Sequence, residues 1–345
     1  MKRILVTEVN WLGDSILTTP IFKALKESFP SSYVGVMTVE RVSDIFLTNP
    51  YIDEVIIFDE KRNHKSFLSK IKFISFLKKK NFDTVFLIHR SFTRALICFL
   101  AGIKNRIGFK RFKNIFVVNR GISSPLKPIH RQNQYFSLFE NCGIEINDSQ
   151  PMIFVSNKSR NNIFPKIKDL KDKYSYIIGI NPSANWKLKR WPEENFSFLS
   201  DRLIKELNCA VIFTGAKKEK QIIDEVMRHM SQTAYDFCGR TNLLELEAII
   251  ENFDIFISND SGPAHLAAAL GINTLVLFGP TSSAITSPRG PTVKAISKDV
   301  GCKIPCYDLQ CKDNKCMRAI GVDEVFLEVE KILKNAKKNN NKFSD

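Results

Sequence analysis

The stretch Ser258-Asn259-Asp260-Ser261-Gly262-Pro263-Ala264-His265 sets a polar turn between the apolar run 254–257 and a small-residue helix that Gly271 stops. Pro263 belongs in the first helical turn. Such a strand–turn–helix corner aims unpaired backbone N–H groups at whatever lies above the sheet, and the helix dipole favours a phosphate there. Capped corners occur in every α/β protein, so this one alone does not make a site. Three further strand ends carry the same kind of turn: Asn181-Pro182-Ser183, Thr214-Gly215-Ala216 and Gly279-Pro280-Thr281. Each is explained singly as turn chemistry; together they line one sheet edge. Lys187, Lys189 and Arg190 sit in a polar loop beside them, where they can neutralise a diphosphate without a metal. In the first half, the strand 3–9 ends in Asn10-Trp11-Leu12-Gly13-Asp14, and a second strand end carries the polar run His89-Arg90-Ser91-Phe92-Thr93-Arg94. The first turn holds a single glycine, so it is not a dinucleotide fingerprint.

The elements that must hold these residues alternate strand and helix. Strands are expected at 3–9, 33–38, 54–58 and 84–88, with an amphipathic helix at 67–80 and a helix from Ile16 to Pro30 that Pro20 either kinks or begins. Residues 104–128 look irregular and basic. Residues 156–173 mix charge, Asn and Pro without a clear apolar face, which places the domain boundary there. A second series follows: strands at 176–181, 209–213, 254–258 and 273–278, a helix opened by Trp191-Pro192-Glu193-Glu194, and a last helix at 322–334. Two such series predict an α/β protein of two Rossmann-like domains facing across a cleft, with 1–156 and 175–335 joined by a linker at 157–174 and a frayed tail at 336–345.

With 345 residues, 44% of them hydrophobic, the chain can build two cores without disulfides or metals. No run of eighteen uncharged apolar residues occurs, and Met1-Lys2-Arg3 leads straight into a strand, so a cytoplasmic protein is expected. The formal net charge is +15, with Lys and Arg spread over the chain and thicker at 78–80, 106–113 and 334–338. That surplus suits an anionic partner, whether nucleic acid, anionic lipid or a phosphorylated substrate, or reflects lysine-rich usage alone. No nucleic-acid-binding motif is present. Of eight cysteines, Cys302, Cys306, Cys311 and Cys316 crowd into fifteen residues. They can hold a structural metal, pair, or simply pack a loop, and they lack paired C-x2-C knuckles.

Taken in order, Asn10-Trp11-Leu12-Gly13-Asp14, Lys189-Arg190-Trp191-Pro192-Glu193-Glu194-Asn195-Phe196, Thr214-Gly215-Ala216-Lys217-Lys218-Glu219 and the 258–271 corner with Phe278-Gly279-Pro280-Thr281 resemble glycosyltransferase family nine. This is the family of the ADP-heptose:lipopolysaccharide heptosyltransferases, and the N-terminal motif is most similar to the heptosyltransferase II type. The resemblance runs over essentially the whole chain. It implies an inverting transferase of the GT-B fold that binds the nucleotide-sugar in its C-terminal domain and the acceptor in its N-terminal domain. Asp14 matches the family's proposed general base, against an alternative as helix N-cap. Lys189 matches the lysine near the departing diphosphate, and Glu219 the acid that holds the donor ribose. Asp260, Ser261 and Gly262 match the diphosphate turn, with Ser261 and backbone amides expected to make the contacts and Asp260 to cap the helix. Ser183 falls near a hydroxyl-bearing phosphate loop. His265 lies one turn into the helix, facing the cleft or packed. Arg94 resembles an acceptor-side position, with an ordinary helix-start arginine as the plainer account. The implied reaction moves L-glycero-D-manno-heptose from ADP to a lipid-A-linked core acceptor, with no cofactor required, no nucleic acid, and peripheral contact with the anionic inner membrane. The alternatives are another nucleotide-sugar and surface glycan, or a catalytically silent nucleotide-sugar-binding protein.

Overall fold

The computed structural model describes residues 2–341 except 112, 114, 307 and 309. The chain divides into two compact units, Met1–Phe154 and Val155–Asp345. The first runs β1 (Arg3–Thr7), α1 (Leu12–Leu17), α2 (Pro20–Ser28), β2 (Tyr33–Thr38), α3 (Glu40–Leu47), β3 (Glu54–Ile57), α4 (Phe67–Lys79), β4 (Thr84–Leu87), α5 (Phe92–Leu100), β5 (Asn105–Phe109), β6 (Arg120–Ile122) and α6 (Arg131–Glu140). Its six strands are all parallel in the order β3-β2-β1-β4-β5-β6, so the chain reverses its direction of travel across the sheet between β1 and β4. Leu5, Val85 and Leu87 face a core closed by Phe73 and Leu77 of α4 and Ala95, Ile97 and Cys98 of α5. On the other face Phe86 stacks on Phe139 of α6 at 4.3 Å, and Phe22 of α2 meets Phe46 of α3 edge-on at 5.6 Å. Burial on both faces is why these strands read as continuous apolar runs.

The second unit runs α7 (Asn157–Lys173), β7 (Tyr176–Asn181), α8 (Glu193–Leu207), β8 (Cys209–Phe213), α9 (Lys220–Arg228), β9 (Tyr235–Asp236), α10 (Leu243–Ile250), β10 (Ile255–Asn259), α11 (Gly262–Ala269), β11 (Asn273–Phe278), α12 (Ser283–Thr286), β12 (Val293–Ser297), α13 (Lys315–Arg318) and α14 (Val322–Asn341). Its sheet, β12-β11-β10-β7-β8-β9, repeats the same strand order and is again parallel throughout, with the reversal between β7 and β10. Gly179 in β7 lets the ring of Phe253 lie against the strand: an added Cβ would fall 2.2 Å from it.

Four expectations are corrected. Residues 157–174 are no linker: α7 occupies Asn157–Lys173, Ser156 caps it through the Ser159 N–H (3.1 Å), and Ile163, Ile167 and Leu170 are buried. That i, i+4, i+7 stripe packs near α10 and is hidden in the sequence by charged neighbours and by Pro165 inside the helix. The 16–30 stretch is divided between two helices, and of the two expectations for Pro20 it is the helix-opening one that holds. Thr18 and Thr19 hydroxyls donate to the Ser15 and Ile16 carbonyls at 2.7 and 2.8 Å, ending α1, and Pro20 opens α2. The irregular 104–128 segment contributes β5 and β6. Helix α14 continues to Asn341 through most of the expected frayed tail, and 342–345 lie outside the described residues.

Candidate active site

In the first unit the strand ends at the sheet's reversal point carry the polar residues. β1 leads through Glu8, Val9 and Asn10 into α1, and β4 leads through His89 into α5. Arg94, only 1% exposed, closes the two together: its Nη1 donates to the Glu8 carbonyl and its Nη2 to Asn10 Oδ1 at 2.7 Å. Arg41 holds the same turn from outside, with Nε donating to the Asn10 carbonyl at 2.8 Å and its guanidinium 4.6 Å from the Trp11 ring centre. Asp14 sits in the first turn of α1 and is partly exposed. The Tyr135 hydroxyl donates to Asp14 Oδ1 at 2.8 Å, and Arg131 Nε lies 3.8 Å from the same oxygen. Burial first, and then the Asp14 charge, raise the Tyr135 phenol, which keeps it a donor. Desolvation and then the Arg94 charge lower His89 to about 4, so its ring is neutral at physiological pH.

Glu8 lies beneath this turn, fully buried, with Oε2 accepting from the Val9 N–H at 3.2 Å. Burial is the largest cause raising its carboxyl from 4.5 to about 8. Between those two values the folded chain keeps a proton that the unfolded chain releases, so its contribution to stability is full below pH 4.5 and is lost as pH rises to about 8. Glu8→Gln should therefore flatten the fall in stability between pH 4.5 and about pH 8. The effect is a few kcal/mol, at about 1.4 kcal/mol for each tenfold difference in proton affinity between the folded and unfolded chains. Parallel melting profiles for the two proteins would show that Glu8 does not hold the proton.

In the second unit the reversal point lies between β7 and β10, and Asn259 organises it. Its Nδ2 donates to the Pro182 carbonyl at 2.8 Å, and its Oδ1 accepts from the Trp191 N–H at 3.0 Å. Trp191 is fully buried and its Nε1 donates to the Ile320 carbonyl at 3.0 Å. Arg190 Nε closes the loop on the Ala184 carbonyl at 2.9 Å. This anchoring brings Lys189 Nζ to 2.6 Å from Asp260 Oδ2, and Thr281 Oγ1 donates to the same oxygen at 2.7 Å. Ser261 is the N-cap of α11, makes no side-chain cap bond, and its hydroxyl lies 2.8 Å from that of Ser258. The first-turn amides beginning at Gly262 thus receive no bond from the N-cap side chain, and a helix start of this kind can donate to an anion. The buried hydroxyls of Ser183 and Thr214, at the ends of β7 and β8, have no hydrogen-bond partner among the described residues. Fixed cation, helix amides and spare hydroxyls at one strand-end crevice can hold a diphosphate.

The sequence comparison decides the family. The model of glycosyltransferase family 9 (heptosyltransferase) matches residues 71–317. The chain belongs to glycosyltransferase family 9. Lipooligosaccharide heptosyltransferase 2 of Campylobacter jejuni is 25% identical to this glycosyltransferase over 338 residues, covering 96% of this chain and 99% of the relative. A family 9 glycosyltransferase of Veillonella parvula superposes with a TM-score of 0.89 at 24% identity, over 97% of this chain and 98% of that one. The Escherichia coli ADP-heptose lps heptosyltransferase II does so with a TM-score of 0.81 at 23% identity, over 98% and 100%. The two-unit α/β architecture is the GT-B fold expected of the family.

Of the residues singled out from the sequence of this glycosyltransferase, Lys189, Asp260, Ser261 and Gly262 come together at the start of α11, and Ser183 joins them through the Pro182–Asn259 bond. Glu219 accepts the Ala216 N–H on Oε2 at 2.7 Å, closing the turn after β8. Lys218 links that turn to Asn185 of the lysine loop at 3.2 Å. His265 is buried within α11. Asp14 stands in the other unit.

Several roles differ from expectation. Asp260 does not cap α11; its carboxylate, buried at 6% exposure, is taken by Lys189 and Thr281. Asp14 is not an N-cap, since α1 begins at Leu12 after Trp11. Arg94 is no ordinary helix-start arginine but the buried clamp of the Asn10 turn. The structural metal considered for Cys302, Cys306, Cys311 and Cys316 finds no support: among the described residues no three His, Cys, Asp or Glu side chains are grouped to hold an ion, and all four thiols are free. The segment instead buttresses the turn after β11. The Cys306 N–H donates to the Pro280 carbonyl at 2.7 Å, and Met317 and Cys316 pack against Gly279, where a Cβ would meet them at 2.4 and 3.1 Å. Tyr135, Arg131, Glu8 and Asn259 were not singled out as site residues. A polar residue at the end of an apolar strand was a readable signal for Glu8 and Asn259; Tyr135 gives none, because only α6 packing beside α1 brings it to Asp14.

Proposed function

We propose that this family 9 glycosyltransferase moves L-glycero-D-manno-heptose from its ADP donor to the lipid-A-linked inner core of lipopolysaccharide, with inversion. The observation that carries this reading is the grouping of Lys189, which Asp260 holds in place, with the uncapped start of α11 and the spare hydroxyls of Ser183 and Thr214, in a chain of a family of heptosyltransferases. The likeness to a heptosyltransferase II whose donor is ADP-heptose supports the choice of donor. In this reading residues 1–156 bind the acceptor and 175–335 the donor. The Asp14 carboxylate takes the proton of the acceptor hydroxyl as its oxygen bonds to the anomeric carbon, and the bond from that carbon to the diphosphate oxygen breaks. Lys189 and the helix amides stabilise the charge that develops on the departing diphosphate, with Asp260 holding the ammonium in position. Glu219 takes the ribose hydroxyls, and Ser183 and His265 complete the donor site. A single displacement leaves the new bond on the opposite face of the sugar. The lipid-linked acceptor places the work at the cytoplasmic face of the inner membrane.

Calorimetric titration with ADP-heptose, UDP-sugars and GDP-sugars tests the donor. ADP-heptose should bind about tenfold or more tighter than either competitor, a difference of about 1.4 kcal/mol. Preference for another nucleotide overturns the donor, and binding of none overturns the transferase reading.

A further inference from the structure

The cations of this chain are spread out, but its acids are not. Residues 61–139 hold eighteen Lys and Arg and one acid, Asp83; the remaining 33 cations and 35 acids nearly cancel, so this segment carries the whole net charge of +15 and slightly more. Asp83 itself is engaged, accepting from the Arg3 N–H and the Thr84 hydroxyl at 2.7 Å each. Helices α4 and α5 of this segment pack side by side on one face of the first sheet, with Phe73, Leu77, Ile97 and Cys98 turned inward. Their outward sides are also apolar. On α4, Phe67 (77% exposed), Leu68 and Ile71 stand out among Lys72, Lys78 and Lys79. On α5, Phe92, Phe99 and Leu100 are exposed. The Arg106 guanidinium lies 5.1 Å from the centre of the Phe99 ring and its Nε donates to the Val117 carbonyl at 2.7 Å. It thereby joins α5 to Ile115 and Phe116, the latter 91% exposed, which project just before the buried pair Val117 and Val118 of the same core.

Apolar side chains left in water beside lysines, with no acid in either helix, fit one environment: the interface of an anionic bilayer, where lysines meet lipid phosphates while rings and aliphatic groups enter the acyl boundary. A second copy of the chain would bring the same positive face against itself. Nucleic acid would use the lysines but leave Leu68, Ile71 and Leu100 without a partner to stack on. No described helix is long and apolar enough to cross a membrane, so α4 would lie in the plane. We infer that the α4–α5 face, with Ile115 and Phe116, is the surface by which this glycosyltransferase docks on anionic phospholipid. The inference rests on the reading that its acceptor is lipid-anchored, and it puts the unit that carries Asp14 at the membrane.

Flotation of the full-length protein with vesicles tests it. The wild type should float with phosphatidylethanolamine/phosphatidylglycerol vesicles, stay behind with phosphatidylcholine alone, and detach as salt rises. Lys72→Glu/Lys78→Glu/Lys79→Glu should weaken partition by at least about fivefold per reversal, and Phe67→Ser/Ile71→Ser/Phe116→Ser by about tenfold or more. Both variants should keep the wild-type far-ultraviolet spectrum, donor affinity and transfer to a deacylated, lipid-free acceptor. Wild-type partition in either variant, equal binding to neutral vesicles, or a dimer that the variants dissociate overturns the docking face. Vesicle binding without transfer to any acceptor would leave the face standing and sink the proposed function instead.

Discussion

Asp14→Asn should lower turnover by about a thousandfold, within the range that general-base catalysis contributes, while the donor dissociation constant stays within about twofold. The substitution is nearly isosteric, and an Asn carbonyl oxygen can still accept from the Tyr135 hydroxyl now 2.8 Å away, so the turn stays in place and what is lost is the capacity to take a proton. The proposed donor seat at Lys189 and the start of α11 belongs to the other unit of the chain, so on that proposal donor binding has no reason to change. Steady-state transfer at saturating donor, paired with calorimetric titration of the same protein, measures both quantities. A variant that retains more than a tenth of wild-type turnover removes Asp14 from the role of base.

In the proposed mechanism Lys189→Met acts at the other end of the reaction. Its ammonium is held 2.6 Å from Asp260, two residues before the start of α11, and removing one fixed stabiliser of developing charge should cost about 100- to 1000-fold in turnover. It also strands Asp260, whose side chain is 5% exposed and would keep only Thr281. An unpaired buried carboxylate costs about 1–3 kcal/mol, at the low end because the lysine side chain is itself 22% exposed. The double variant Lys189→Met/Asp260→Asn separates the two effects. It should recover the melting temperature and leave turnover as low as in the single variant. Recovery of both together would mean that Lys189 acts only by holding Asp260.

What could be read from the sequence was whatever local chemistry repeats. Strands buried on both faces show as apolar runs, helix starts as Pro and acids in a first turn, and parallel strand ends as the turns that hold Asp14, Lys189 and Ser261. Those patterns gave the two Rossmann-like series and the positions of the candidate residues, because each depends on neighbours within a few places in the chain. The same reasoning failed where a pattern was interrupted. The α7 stripe of Ile163, Ile167 and Leu170 is broken up by Pro165 and lysines, and only its burial near α10 reveals a helix.

Partners far apart in the chain lay beyond that reach. Asp260 looked like a cap because an acid before a helix usually is one; folding brings Lys189 to it across 71 positions and Thr281 across 21, and an opposite charge at 2.6 Å outcompetes a capping bond. Arg94 reads from the sequence as an acceptor-side position or an ordinary helix-start arginine; laying β4 beside β1 sets its guanidinium on the Glu8 carbonyl and Asn10, more than eighty positions away. The sequence by itself thus determined which residues stand at the strand ends and what charge they carry. Only the tertiary structure decided which of them neutralise one another and which remain for a ligand, because a pairing between buried groups depends on the strand order that brings them within a few ångströms.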